Sequence, residues 1–163
     1  IGAVMIGKRV ADVLFDLGGE INHGFTYAGH PVCCAAALRN IEIIQEERLV
    51  ERVRDDIGPY MQAKWKAFAD HPLIGEAVME GLIGGIQLTP DKTARAKWAE
   101  EGTAGMTCRN HSFSNGLVMR AVGDRMVIAP PLTITHAEVD ELIGIVGKTL
   151  DETAASLKAK GLF

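Results

Sequence analysis

Two stretches of this sequence combine residue types that can do chemistry. The first is residues 22–44, NHGFTYAGHPVCCAAALRNIEII, where Thr26 stands between Gly24 and Gly29 and just ahead of Pro31. Proline suits the first turn of a helix, where its missing N–H costs nothing. A helix N-terminus approached through a Gly-rich loop has spare N–H donors for an anion, and a threonine hydroxyl adds one more. The same residues also read as an ordinary turn followed by a capped helix, and the pattern leaves both readings open. The second stretch is GLVMRAVGDRMVIAPPL, which carries Arg120 inside an apolar strand pattern. A guanidinium there needs a partner, because an unpaired buried charge is costly. That partner is either a nearby acid such as Asp124 or the carboxylate of a substrate, which the planar fork of arginine fits.

Other chemistries lack their signatures. The sequence has no G-x-S-x-G, H-E-x-x-H, Walker A or G-x-G-x-x-G motif. Three cysteines, Cys33, Cys34 and Cys108, form no C-x-x-C pair and no metal-ligand spacing with the five histidines. No metal site is expected, and reduced thiols point to a cytoplasmic compartment. Adjacent Cys33 and Cys34 read as small core residues rather than nucleophiles. The acid pairs Glu46-Glu47, Asp55-Asp56 and Glu100-Glu101 read as solvated helix faces.

The elements that must position these residues follow from periodicity. Residues 3–6 read as a short buried strand, and 8–17 as a helix stopped by Gly18-Gly19. Pro31 opens a second helix whose apolar residues Ala35, Leu38, Ile41 and Ile44 recur at helical spacing. Leu49, Val50, Val53 and Ile57 continue or restart it. Gly58-Pro59 breaks the pattern and marks the expected domain boundary. Residues 60–68 resume as a helix, and 82–88, LIGGIQL, read as a strand whose glycines signal close approach. Short helices are expected over 92–101 and 106–114. Strands over 117–121 and 126–129 form a hairpin about Val122-Gly123-Asp124. Thr135 and Glu138 have capping-box spacing, and a long amphipathic helix follows from Val139 to Leu157.

With 163 residues, 47% hydrophobic and 23% charged, the chain can bury a real core. A net charge of −4 gives no reason to propose nucleic acid or an anionic membrane as partner. No stretch has the length of an apolar membrane span. The opening IGAVMIGKRV has apolar residues before basic ones, the reverse of a signal peptide, and reads as a position inside a longer protein.

HGFTYAGHPVCCAAALRNIEII, RVRDDIGPYMQ and NGLVMRAVGDRMVIAPPLTIT together resemble class III pyridoxal-phosphate aminotransferases, most closely the pyruvate-using ω-transaminase branch. The resemblance runs through the whole chain. It implies an α/β fold of the fold-type-I transferases, with residues 1–57 ending the large cofactor domain and 58–163 forming the α+β small domain. It implies pyridoxal 5'-phosphate as cofactor and small amines and oxo acids as substrates. The expected partners are the N-terminal remainder of the same protein and a second copy, in a homodimer or a dimer of dimers. The Schiff-base lysine is expected upstream of Ile1; Lys8 falls after the G-A-V-x-x-G stretch and is not that residue. This chain alone is then expected to be inactive.

By the same resemblance, Thr26 reaches the cofactor phosphate of the neighbouring subunit, and Phe25 lies beside it at the substrate pocket. Arg120 matches a mobile arginine that pairs with a substrate carboxylate and swings away for carboxylate-free amines. The chain departs from the family at Val78-Met79, where many members have Arg-Gly. That departure weakens any transfer of substrate class. Rival expectations are a glutamate-semialdehyde aminomutase or 2-oxoglutarate-dependent relative, and a non-catalytic interaction module.

Overall fold

The computed structural model describes residues 1–18 and 24–163. The chain forms two compact units, residues 1–47 and 48–163. In the first, residues 1–7 are exposed and form no regular element where a strand was expected. An apolar run alone does not make a strand; it needs a partner to accept its backbone hydrogen bonds. Helix α1 (Lys8–Leu17) follows Gly7, with Lys8 paired to Asp12 at 2.7 Å one turn on. The glycine stop falls as expected at Gly18, and its continuation at Gly19 lies outside the described residues. Helix α2 (Pro31–Glu46) starts on the predicted proline. Arg39 ties its surface together with Glu42 and Glu46. Neither helix buries a side chain within the chain. Cys33 is accordingly exposed and Cys34 half-buried, so the core reading of this pair does not hold here.

The second unit has the core. Arg48, in the left-handed region at φ 50°, starts a continuous helical run. Helix α3 (Leu49–Arg52), a π turn (Val53–Ile57) and helix α4 (Gly58–Lys66) succeed one another without a break. Gly58-Pro59 therefore bends the ladder instead of ending it. Proline lacks the donor for the usual bond, and the widened π turn takes up the mismatch. The two compact units meet between Glu47 and Arg48, ahead of α3.

A four-stranded antiparallel sheet follows, in spatial order β1-β2-β4-β3: β1 (Ile74–Glu80), β2 (Ile83–Leu88), β3 (Arg120–Val122) and β4 (Arg125–Ile128). Strand β1 was not legible in the sequence. A register shift at Ile74/Glu76 switches the parity of its buried residues, so no clean alternation is visible. The sheet packs on α4 and α5 (Thr103–Ser114), and α6 (His136–Ala159) packs against those two helices. The expected helix over 92–101 is a set of turns, with Asp91 accepting from the N–H groups of Thr93 and Ala94.

Trp65 is fully buried at the centre of this core. Its ring lies where a Cβ on Gly84 would come within 2.9 Å, and its indole N–H donates to the Gly85 carbonyl. The glycines of LIGGIQL thus admit an indole. Met79 reaches the same spot. Helix α6 has the predicted capping box, with Glu138 N–H donating to Thr135 Oγ1 and Thr135 N–H to Glu138 Oε2. The Thr135 N–H and then the Thr135 hydroxyl, both donating to the carboxylate, hold Glu138 below its usual range. Arg52 donates to the carbonyls of Leu132 and Ile134 and fastens the loop between β4 and α6.

Helix α5 meets the β3–β4 turn with almost no clearance. A Cβ on Gly105 would lie 2.0 Å from the Gly123 carbonyl oxygen, a backbone atom that cannot yield locally. We expect Gly105→Ala to cost about 1–3 kcal/mol, the range for core overpacking, read as a fall in the denaturant midpoint. Wild-type stability in that variant would refute the close approach.

Cys108, fully buried between α5 and α6, has its thiol pushed up to about 11 by burial, against a partial lowering by its bond to Thr153. Below the ordinary value of 9.0 the thiol is neutral in folded and unfolded chains alike. Between that value and about 11 only the unfolded chain loses the proton, so stability falls as pH rises. The slope expected from this one group is about 1.4 kcal/mol per pH unit. Denaturant midpoints at pH 8 and pH 10.5 should show a smaller alkaline loss in Cys108→Ala than in the wild type. Equal losses would contradict it.

Candidate functional site

The loop before α2 is a tight pair of turns. Ala28 N–H donates to the Phe25 carbonyl at 2.9 Å and His30 N–H to that of Tyr27 at 3.2 Å. Gly29 supplies the positive φ, 71°, that returns the chain to the helix axis. Thr26 sits at the turn, exposed, between the exposed rings of Phe25 and Tyr27. His30 is the N-cap and Pro31 the first helical residue, and no side chain caps the helix. The first intrahelical bond is Cys34 N–H to the His30 carbonyl. The N–H groups of Val32 and Cys33 in the first turn are therefore available to an outside acceptor. That turn has no acidic residue to repel an anion. The capped-helix reading of this stretch fails on its cap: the turn is real, but its donors are left open.

Arg120 opens strand β3 at the sheet edge, opposite Val127 of β4. Its side chain is exposed, and among the described residues its guanidinium has no hydrogen-bond or ion-pair partner. The expected alternative, a salt bridge to Asp124, does not form. Asp124 is 8% exposed, and its two oxygens accept instead from the N–H groups of Gly102 and Gly105 at 2.9 and 3.0 Å. Geometry decides this: Asp124 sits in the turn at the far end of the three-residue strand from Arg120.

Thr26 and Phe25 share one loop in the first unit; Arg120 belongs to the second. Residues that sequence reasoning missed are Asp124 as a helix-binding carboxylate, Gly105 and Arg52. Only Gly105, a glycine inside a helical stretch, carried a signal that could have been read. Two hollows indent the second unit. One, of about 760 Å³, is lined by Glu76, Thr89, Lys92, Trp98 and Glu101 among others. Its polar groups are largely engaged: Glu76 pairs with Arg125, the Thr89 hydroxyl donates to backbone carbonyls, and Lys92 donates to the Ala69 carbonyl. The other, of about 510 Å³, is mainly apolar and borders Val118, Ile128 and Pro131. Among the described residues no group of three His, Cys, Asp or Glu is placed to hold a metal. No helix among them is long and apolar enough to cross a membrane.

A family model, aminotransferase class-III, matches residues 1–150. A putrescine–pyruvate aminotransferase of Pseudomonas aeruginosa is 47% identical over 159 residues, which cover 98% of this chain and 34% of that protein. A mitochondrial gamma-aminobutyrate transaminase 1 of Solanum lycopersicum is 41% identical over 94% of this chain and 30% of its own length. Among solved structures, the ω-transaminase of Pseudomonas jessenii in complex with PMP superposes with a TM-score of 0.79 at 36% identity, over 91% of this chain and 32% of its own. A transaminase from ancestral reconstruction gives a TM-score of 0.83 at 39% identity. The chain spans about a third of the length of these relatives. Its fold is that of the C-terminal portion of a fold-type-I transferase. The chain belongs to the class III aminotransferase family.

Proposed function

We propose that the protein containing this chain moves an amino group from an amine or ω-amino acid to pyruvate, using pyridoxal 5'-phosphate. The observation that carries this reading is the 47% identity to a putrescine–pyruvate aminotransferase over nearly the whole chain. Two features of the structure support it. The α2 N-terminus, uncapped and beside an exposed hydroxyl, has the donor set that a phosphate dianion needs. Arg120, exposed and free of acids, is a fork available to a carboxylate.

When bound, the cofactor supplies the electron sink that weakens bonds at the amine carbon. The residues of this chain bind and orient. Thr26 donates its hydroxyl to the phosphate of the cofactor held by the neighbouring subunit, and Phe25 lines the substrate pocket beside it. Arg120 holds the carboxylate of an oxo acid or amino acid, fixing which carbon faces the chemistry. For an amine without a carboxylate it turns outward, which an exposed side chain on a short edge strand permits.

The working assembly in this reading includes the rest of the protein and a second subunit. The exposed apolar residues Val10, Val13 and Leu17 of α1, and Leu38 and Ile41 of α2, support a covering partner. Residues 1–57 belong with the large domain and 58–163 form the small domain. Free thiols at Cys33, Cys34 and Cys108 support a cytoplasmic setting. The runner-up acceptor is 2-oxoglutarate; comparing initial rates with pyruvate and 2-oxoglutarate decides between them.

In the full-length protein, Thr26→Ala should raise the dissociation constant for pyridoxal 5'-phosphate about 10- to 150-fold, as loss of one charge-assisted hydrogen bond implies. Absorbance of retained cofactor after dialysis reads this, and unchanged retention would remove the phosphate role. Arg120→Ala should lower kcat/KM for pyruvate about 100-fold and for a carboxylate-free aldehyde much less. Equal loss with both acceptors would remove the carboxylate role.

A further inference from the structure

We infer that Asp124 is a positioning residue for carboxylate recognition, acting through the β3–β4 turn on Arg120; this rests on the reading of Arg120 proposed above. Strand β3 is three residues long, lies at the sheet edge and pairs with β4 alone. So short a ladder fixes its own position weakly, because an edge strand has hydrogen-bonding neighbours on one side only. What fixes it is the turn. Asp124 Oδ2 and Oδ1 accept from Gly102 and Gly105 at the N-terminus of α5, and its carbonyl accepts from Leu88 N–H at 2.9 Å. Gln87 donates from its side chain to the same carbonyl at 3.3 Å and accepts from Arg125 at 3.3 Å. Arg125 also pairs with Glu76 at 3.1 Å.

The turn is thus bound to α5, β2 and β1 at once, and Arg120 stands at the other end of the strand that the turn anchors. The Asp124 carboxylate points toward α5, not toward the guanidinium, so its influence on Arg120 is mechanical. Asp124→Asn keeps the side-chain size but turns an amide N–H₂ toward one of two backbone donors. The turn then loses one anchor, and the guanidinium samples a wider range of positions. Carboxylate-bearing substrates pay for that spread, whereas carboxylate-free ones do so only through general effects on the fold.

The test uses the full-length protein loaded with cofactor, an amine donor that the wild type turns over, and two acceptors, pyruvate and butanal. Asp124→Asn should lose about ten-fold more kcat/KM with pyruvate than with butanal, mostly through KM for pyruvate. In the double variant with Arg120→Ala, adding Asp124→Asn should not increase the discrimination already lost. Equal losses with both acceptors, or additive discrimination in the double variant, would overturn the inference and leave Asp124 with a purely structural part. If Arg120→Ala itself fails to discriminate between acceptors, the carboxylate reading of Arg120 falls, and this inference with it. If Asp124→Asn does not fold, as judged by circular dichroism, Gln87→Ala decides. It loosens the same turn from β2 and should show the same bias more weakly; its absence overturns the inference.

Discussion

A buried carboxylate held by backbone N–H groups organises the second unit. Removing an ion such as Asp124 from water costs several kcal/mol unless it is fully bonded. Here the compensation comes from two amides at the start of α5, where the helix dipole also favours negative charge. The bond forms only if α5 begins at Gly102 and only if the β3–β4 turn lies against it. Contact at Gly105 leaves no room for any other side chain. Helix, turn and sheet edge are therefore placed together or not at all. One consequence reaches the candidate site: the acid nearest in sequence to Arg120 is spent elsewhere, and the guanidinium is left exposed.

The rest of that unit is built to let the turn meet the helix. Trp65 presses on the glycines of β2, α6 covers α4 and α5, and Arg52 fastens the loop after β4 to α3. Buried polar side chains in the α5–α6 seam are paired, with Thr153 donating to the Thr149 carbonyl and Asn115 bridging Thr149 and Glu152. The first unit is organised differently. Its helices are positioned by local signals, Gly7, Pro31 and ion pairs at helical spacing, and bury nothing within the chain.

Much of this was legible because it depends on neighbours in sequence. Pro31 at the helix start, the Thr135–Glu138 capping box, the hairpin about Gly123 and the long stripe of α6 each arise from interactions within a few residues. The missed features depend on distant partners. Strand β1 exists because β2 pairs with it, and a bulge hides its alternation. Residues 3–6 have strand composition, and no strand pairs with them among the described residues. Gly58-Pro59 reads as a stop, yet a π turn carries the helix through it. Residues 92–101 look helical but are held as turns by Asp91 and the Thr89 hydroxyl.

Motifs alone were enough to assign the family, because they stay recognisable whatever surrounds them. The sequence by itself also set the starts of α2 and α6 and nominated two candidate contacts, Thr26 and Arg120. Composition could not say whether Arg120 was paired, because an ion pair is a question of where two side chains lie in space. Tertiary structure decided that. It sent the Asp124 carboxylate into the α5 N-terminus, where burial and two N–H donors hold it, and left Arg120 facing solvent.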